Sequence, residues 1–467
     1  MAVDSNPVTR PGAAPPLPGA RRWLRAGYAS GALVTGAFST LPGLLLLPYL
    51  TDTLGAGAAL AGTVVLVPKV WNALLGPLVG HAGDRVPRRR RHLPAGGVGV
   101  AAAFALMFSA PGSHSAGIWW AAVGFFLAAT AYAFFQVPYS ALPAELTGRP
   151  ADRVALVAGR VAVIAVSALL IGTVGPALVD AGGGGVPGHR LVGLFGALCV
   201  LAGTAGVVLG TKGAGRRDTA PAEPGAGAPA AGEPGAGAPR ADEPGAEPSG
   251  LLRRLLLARR VPGFAALLGA IAVQSVATGG LTAGAPYFSE HILGDKNVTG
   301  LLVAAFVAPN LLTVRAWTRL GARLGHRAGY RWACAVFGAG CLLLCAAPVL
   351  PLPVVLLAMV VAGTGHAGQL LFLYALLQDC IASEGLRGVG VSSGLFTTCE
   401  TLGLAVGPFL YGLTLAVFGY ASSGTGHAVA QSHTAREGIL VGIGLLPALA
   451  ALAATAVLGR ERRAKRG

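Results

Sequence analysis

Three ionisable side chains, Lys69, Arg160 and Glu400, sit inside long apolar stretches of this 467-residue sequence. A charge near the centre of a membrane helix costs about 2.5–3.5 kcal/mol on insertion scales, so each needs a partner or a wet cavity. Two bases from the first part of the chain and one acid from the second could meet across a central cavity. On the functional reading Glu400 neutralises one base and anchors a solute or carries a proton. The plainer readings are a structural ion pair and, for Lys69, a stem that snorkels to an interface. Polar neighbours on the same segments are Asn72, Tyr132, Gln136, Gln274, Asn310, His366, Gln369 and Thr398. Amides with aromatic faces commonly hold sugars, although each such residue taken singly more often bonds helix to helix. His366 has no second ligand four residues on, so no metal site is expected there; its ring is a candidate proton carrier.

A second group of charges falls between apolar stretches: Asp84, Arg85 and Arg88, then Glu145 with Arg153, then Asp379 with Arg387. The last two pairs share one acid-to-base spacing and follow Ala141-Leu142 and Ala375-Leu376, so the two parts of the chain echo each other. Pro68 and Gly80 are echoed in the same way by Pro309 and Gly321. Acids are not what membrane topology rewards at helix ends. We expect these seven residues to form a gate that closes and opens at the cytoplasmic ends, the alternative being solvated helix ends.

The elements that must carry these residues are membrane helices. Mean hydropathy is +0.65, 54% of residues are hydrophobic and 12% charged, which is far from a soluble domain. Twelve apolar runs are each long enough to span a bilayer, at about 26–50, 58–80, 93–110, 116–141, 154–179, 190–211, 261–288, 298–318, 330–348, 352–377, 388–417 and 436–458. The expected organisation is a disordered cytosolic tail over 1–25, six helices in 26–211, a flexible linker over 212–252, six more helices in 253–459 and a basic tail over 460–467. The linker repeats Glu223-Pro-Gly-Ala-Gly-Ala-Pro229 as Glu233 to Pro239, a composition that cannot bury a core.

The net charge of +16 has a topological explanation. All but five of the 35 Lys and Arg residues fall in segments that are cytoplasmic if both termini are, which is the positive-inside bias. The exceptions are Arg190, Lys296, Arg436, Lys69 and Arg160. Basic segments then face anionic lipid, and nucleic acid is not expected as a partner. No apolar core precedes Arg21-Arg22, so no cleavable signal is expected. The six cysteines have no zinc or redox spacing. No cofactor is implied, and no soluble segment offers an enzyme's catalytic cluster.

Four motifs carry a resemblance. They are Gly80-x-x-x-Asp84-Arg85-x-x-Arg88-Arg89, preceded by Lys69, Trp71, Asn72 and Pro77; Tyr49-Leu-Thr51-Asp52-Thr-Leu-Gly55; Val137-Pro138-Tyr139-Ser-Ala141-Leu-Pro-Ala-Glu145; and Glu400-Thr-Leu402-Gly403-Leu-Ala405-Val-Gly407-Pro408. Together these resemble the major facilitator superfamily and, within it, the glycoside–pentoside–hexuronide:cation symporters. The resemblance implies an all-α membrane fold of twelve helices in two six-helix halves, with a solute bound between them at mid-membrane.

The sequence departs from that family where coupling matters. In melibiose-permease-like members an acid pair on helix 2 contributes the cation site, and those positions match Asn72 and Gly76. Gln136 replaces an acid on helix 4, Thr401 aligns with a lysine on helix 11, and the sugar-binding acid of helix 1 has no counterpart near Tyr28. A sodium site needs oxygen ligands with negative charge nearby, whereas the charge left on helix 2 is Lys69. The expectation is a sodium-independent carrier of a small polar solute, glycoside-like, proton-coupled or uncoupled, in the cell membrane. Export of a non-sugar compound, and a non-transporting sensor on a carrier fold, are the alternatives. Lys69, Asn72, Tyr132, Gln136, Arg160, Gln274 and Glu400 are the candidate substrate and coupling residues.

Overall fold

The computed structural model describes residues 19–84, 92–111, 114–147, 150–212, 262–383, 389–423 and 429–464. Arg85, Arg88, Arg387 and nearly all of the linker lie outside them, and the side chains of Asp84 and Arg153 are likewise undescribed.

The first apolar run folds as α1 (Gly19–Ser30) and α2 (Ala32–Leu41), prolonged by two π-helical turns at Pro42–Leu46 and Tyr49–Thr53. Pro42 and Pro48 lack the backbone N–H that an α-turn needs, and wider turns are a common way to accommodate such a break. There follow α3 (Ala58–Asp84), α4 (His92–Met107), α5 (His114–Leu146), α6 (Pro150–Ala181) and α7 (Gly185–Gly210). Beyond the linker come α8 (Pro262–His291), α9 (Val298–Leu312), α10 (Val314–Leu324), α11 (His326–Leu344), α12 (Leu352–Ser383) and α13 (Val389–Val417). The last run is α14 (His433–Leu440), a π-helical turn at Val441–Leu445, and α15 (Leu446–Ala464).

Each of the twelve expected runs therefore meets helix. Among the described residues nine helices are long and apolar enough to cross a membrane, and the α9–α10 pair makes a tenth. The shorter α4 and the polar-started α11 complete the bundle. The eighth run carries a break. The run at 298–318 is not a straight span: α9 and α10 meet at Thr313 with a 53° bend. The Thr313 amide bonds back to Pro309 O at 2.9 Å, and its side chain takes the same carbonyl at 2.8 Å. Past the bend Arg315, Arg319 and Arg323 repeat every four residues, leaving only Trp317 and Gly321 buried, so α10 cannot continue as a lipid-facing helix.

Large apolar side chains cover the outside, among them Trp119 at 73% and Leu312 at 78% exposure. In water such a surface would be an aggregation liability; in lipid it is the solvated face. Helices approach closely where a side chain is missing: Gly27 meets Gly210, and Gly407 meets Gly280, the small-residue packing by which membrane helices associate without a hydrophobic drive. Helices before the linker pack largely on one another, as do those after it. We call them the first and second sets. Between the sets α3 packs on α13, α6 on α9, and the first π-helical turn on α8.

Candidate transport site

On the first set, aromatic and amide groups form two largely buried clusters. The Tyr132 ring stacks on Phe38 with centroids 3.9 Å apart. Its hydroxyl donates to Gln136 Oε1 at 3.1 Å, one helical turn on, and Thr35 Oγ1 donates to the same oxygen at 3.1 Å. Tyr28 stacks on Tyr139 at 5.0 Å, and the Tyr139 hydroxyl donates to Tyr28 O at 2.8 Å. The Arg160 guanidinium lies over the Tyr139 ring, 5.1 Å from its centroid. That contact attracts the cation to the ring's negative face.

On the second set, Tyr374 donates to Glu400 Oε2 at 2.9 Å, with the Tyr374 ring edge-on to Phe396. Tyr374 is 43% exposed and Glu400 half-buried. Gln274 and Gln369 are buried; Tyr330 donates to Gln274 Oε1 at 3.3 Å, and Gln369 Nε2 approaches Cys334 Sγ at 3.3 Å. Their remaining amide atoms, Gln274 Nε2 and Gln369 Oε1, have no hydrogen-bond partner, and neither has Asn310 Oδ1. Unpaired buried amide atoms are costly and mark places where another polar molecule fits. His366 Nδ1 sits 3.3 Å from Thr278 Oγ1, its ring stacked on Phe306.

Lys69 lies on α3 and is only 6% exposed. It faces Gly43 in the first π-helical turn, where a Cβ would stand 3.9 Å from Nζ. Asn72, one turn on, spends its amide donor on Ala129 O at 2.8 Å, beside a Trp71 Nε1 to Thr130 Oγ1 bond of 3.1 Å. This end of α3 is tied to α5 by uncharged groups. Among the described residues no carboxylate pairs with Lys69 or Arg160. The three intramembrane charges thus stand apart: Arg160 on an aromatic ring, Glu400 on a tyrosine, Lys69 against a glycine.

Of the gate residues, Asp379 pairs with His326 Nδ1 at 2.7 Å, inside the second set, and Glu145 is exposed. The sets bond to each other at the end that holds Asp52. Tyr420 donates to Asp52 Oδ1 at 2.8 Å, Thr51 Oγ1 and Tyr287 OH lie 2.7 Å apart, and Lys296 meets Asp180 at 3.0 Å. Sequence reading quoted Asp52 only as part of a motif and passed over Tyr374 and Tyr420. Nothing in local spacing links residues more than 350 positions apart, although an acid next to an apolar run is a signal that could have singled out Asp52.

A family model described as MFS/sugar transport protein matches residues 27–460. The chain belongs to that family. Like other MFS proteins it is a multi-pass membrane transporter by family. A relative from Escherichia coli (strain K12), YagG, named as a candidate glycoside/cation symporter, is 30% identical over 194 residues. That match spans 39% of this chain and 40% of the relative. Among solved structures, a bacterial homologue of the human lysosomal transporter Spinster, in an inward-facing and unoccupied conformation, superposes with a TM-score of 0.69 at 15% identity, covering 96% of this chain and 98% of that one. The nucleoside transporter NupG gives 0.61 at 13% identity, covering 94% and 99%. At these identities the likeness is one of fold.

Proposed function

We propose that this MFS protein is a secondary transporter of a small polar solute of the glycoside class, working by alternating access and without sodium. The observation that carries the reading is the pairing of Arg160 on Tyr139 in the first set with Glu400 on Tyr374 in the second. Each charge is held by an aromatic partner that leaves hydrogen-bonding capacity for a hydroxyl-rich molecule, and the two do not neutralise each other. Tyr132, Gln136 and Gln274 add the uncharged contacts. Glu400 also serves as the proton site if transport is coupled, since a carboxyl is the group here that can bind and release a proton within the cavity.

Sodium independence is supported by the α3 site. Asn72 commits its donor to a backbone carbonyl, Gly76 offers no ligand, and Lys69 supplies positive charge where a cation would sit. We further infer that the chain resides in the cell membrane with both termini cytoplasmic. In this arrangement two six-helix halves flank the site. Asp84, Arg85, Arg88, Glu145, Arg153, Asp379 and Arg387 gate its cytoplasmic end, facing anionic lipid through the surrounding arginines.

Thermal stability of the purified protein against a panel of glycosides, hexuronides and non-sugar metabolites, with and without sodium and across pH 5 to 8, tests this. A ligand that binds only the folded carrier raises its apparent stability by mass action. Stabilisation by a glycoside that Glu400→Gln abolishes supports the reading, and a sodium-dependent shift overturns its coupling. Stabilisation confined to non-sugar compounds favours the second reading, export or facilitated passage of another metabolite. That reading rests on the absence from this sequence of the sugar-recognising acids that the family resemblance implies.

A further inference from the structure

Asp52 stands where the two helix sets are bonded together, far along the chain from Glu400. It lies within the second π-helical turn, and four groups of the second set close on it and its neighbours. Tyr420 donates to its carboxylate at 2.8 Å, Ser423 Oγ donates to its main-chain oxygen at 2.6 Å, and Ser422 Oγ donates to Ala56 O at 2.8 Å. One residue before it, Thr51 shares a 2.7 Å hydrogen bond with Tyr287. Asp52 is therefore the carboxylate that a transporter must strip of these bonds if this end opens.

Its surroundings make charge expensive there. The cavity on its other side is lined by Asp180, Glu290, Lys296 and His189. Lys296 is committed to Asp180 at 3.0 Å, and among the described residues no cation bonds Asp52. Of the remaining bases nearby, Arg190 and Arg436 are exposed, their charges acting on Tyr49 and His291. His291 Nε2 lies 2.9 Å from the Tyr420 hydroxyl, so His291, Tyr420 and Asp52 form a chain that satisfies either protonation state. With Asp52 ionised, the histidine N–H donates to Tyr420, which donates to the carboxylate. With Asp52 neutral, the same chain runs in reverse, the carboxyl O–H donating to Tyr420 and Tyr420 to the ring nitrogen.

We propose that Asp52 is a proton-binding site whose occupancy locks the two helix sets together at this end, the neutral carboxyl belonging to the closed form and the carboxylate to the open one. The idea goes beyond the transport reading above and does not depend on which solute is carried. Burial pushes the Asp52 carboxyl up to about 7, the Tyr420 hydrogen bond opposing and the Glu290 charge adding to the rise. A water-exposed aspartate titrates near 3.9, so the closed form binds more protons than the open form between roughly pH 4 and 7. Falling pH then favours closure, by about tenfold per unit once below 7 and about a hundredfold between pH 8 and 5.

The test uses the full chain in lipid nanodiscs, spin-labelled through p-acetylphenylalanine introduced at Ala181 and Thr434, exposed positions of the first and second sets at this end. The ratio of short to long inter-label distances should rise about a hundredfold from pH 8 to 5. Asp52→Asn should flatten that dependence. Glu290→Gln should move the midpoint down and Tyr420→Phe should move it up, whereas a merely structural latch would weaken at every pH with no shift of midpoint. A flat wild-type profile, or an intact response in Asp52→Asn, overturns the proposal. Should Asp52→Asn fail to fold, unmoved midpoints in the other two variants overturn it equally.

Discussion

Tyr374 and Glu400 lie on consecutive helices of the second set, and the 2.9 Å bond between them occupies one carboxylate oxygen, Oε2. A hydrogen bond to a charged acceptor contributes about 1.5–3 kcal/mol. Tyr374→Phe should therefore weaken solute binding by about ten- to a hundredfold while leaving the fold intact, and Glu400→Gln should abolish binding. Calorimetric titration with the best glycoside from the stability panel measures both. Equal affinity in Tyr374→Phe and wild type would remove this pair from the site.

Arg160 and Tyr139 offer a sharper discrimination. Lysine keeps the charge but loses the planar group that lies over the ring and can still bind edge-on. Arg160→Lys should cost about 0.5–2 kcal/mol of binding, read as a rise in Kd at unchanged melting temperature. A fall in melting temperature with unchanged Kd would instead make the contact a structural one.

Gly62 on α3 faces Phe409 on α13, and a Cβ there would stand 3.0 Å from Phe409 Cα. Backbone cannot yield as a side-chain tip can, so Gly62→Leu opposes this contact between sets without burdening either set alone. Overpacking of this kind costs about 1–3 kcal/mol, equivalent to about a five- to 150-fold loss of the closed population. Distance measurements with the labels at Ala181 and Thr434 should register it. Gly407→Leu, whose new side chain would strike Gly280 and Val276 inside the second set, should depress expression and melting temperature instead.

The proposed cytoplasmic gate predicts a different response. Asp84→Asn should shift the accessibility of a cysteine placed at Ser140, an exposed position near the end of α5, by a few-fold, because charge pairs between states contribute about 1–3 kcal/mol. Unchanged accessibility would sink the gate. His326→Ala should do little by comparison. Its 2.7 Å contact with Asp379 joins side chains that are 43% and 56% exposed, and such surface pairs contribute about 0–1 kcal/mol.

Much of the fold was legible because its cause is local. An apolar run long enough to cross a bilayer has few alternatives to helix, and all twelve runs are helical. The break at Thr313 was less legible, since it depends on where the arginines of α10 can sit rather than on hydropathy alone. The site was readable one helix at a time. Arg160 and Glu400 announce themselves as charges in apolar surroundings, but their partners Tyr139 and Tyr374 are aromatic residues among many. What joins them is the path of the bundle. Asp52 and Tyr420 are the extreme case: only the closure of the sets at one end brings them within 2.8 Å.

The two wide turns after α2 act as a phase setting. A π-helical turn amounts to one residue inserted into an α-helix, and each residue of an α-helix advances about 100° around the axis. With Pro42–Leu46 widened ahead of them, Thr51 and Asp52, themselves within the second wide turn, are turned by about 100° from where an unbroken helix would aim them. Removing one residue from the first wide turn would let ordinary helix reform and swing the Asp52 carboxylate away from Tyr420. Single-residue length changes in this segment should therefore be far less tolerated than substitutions of its leucines.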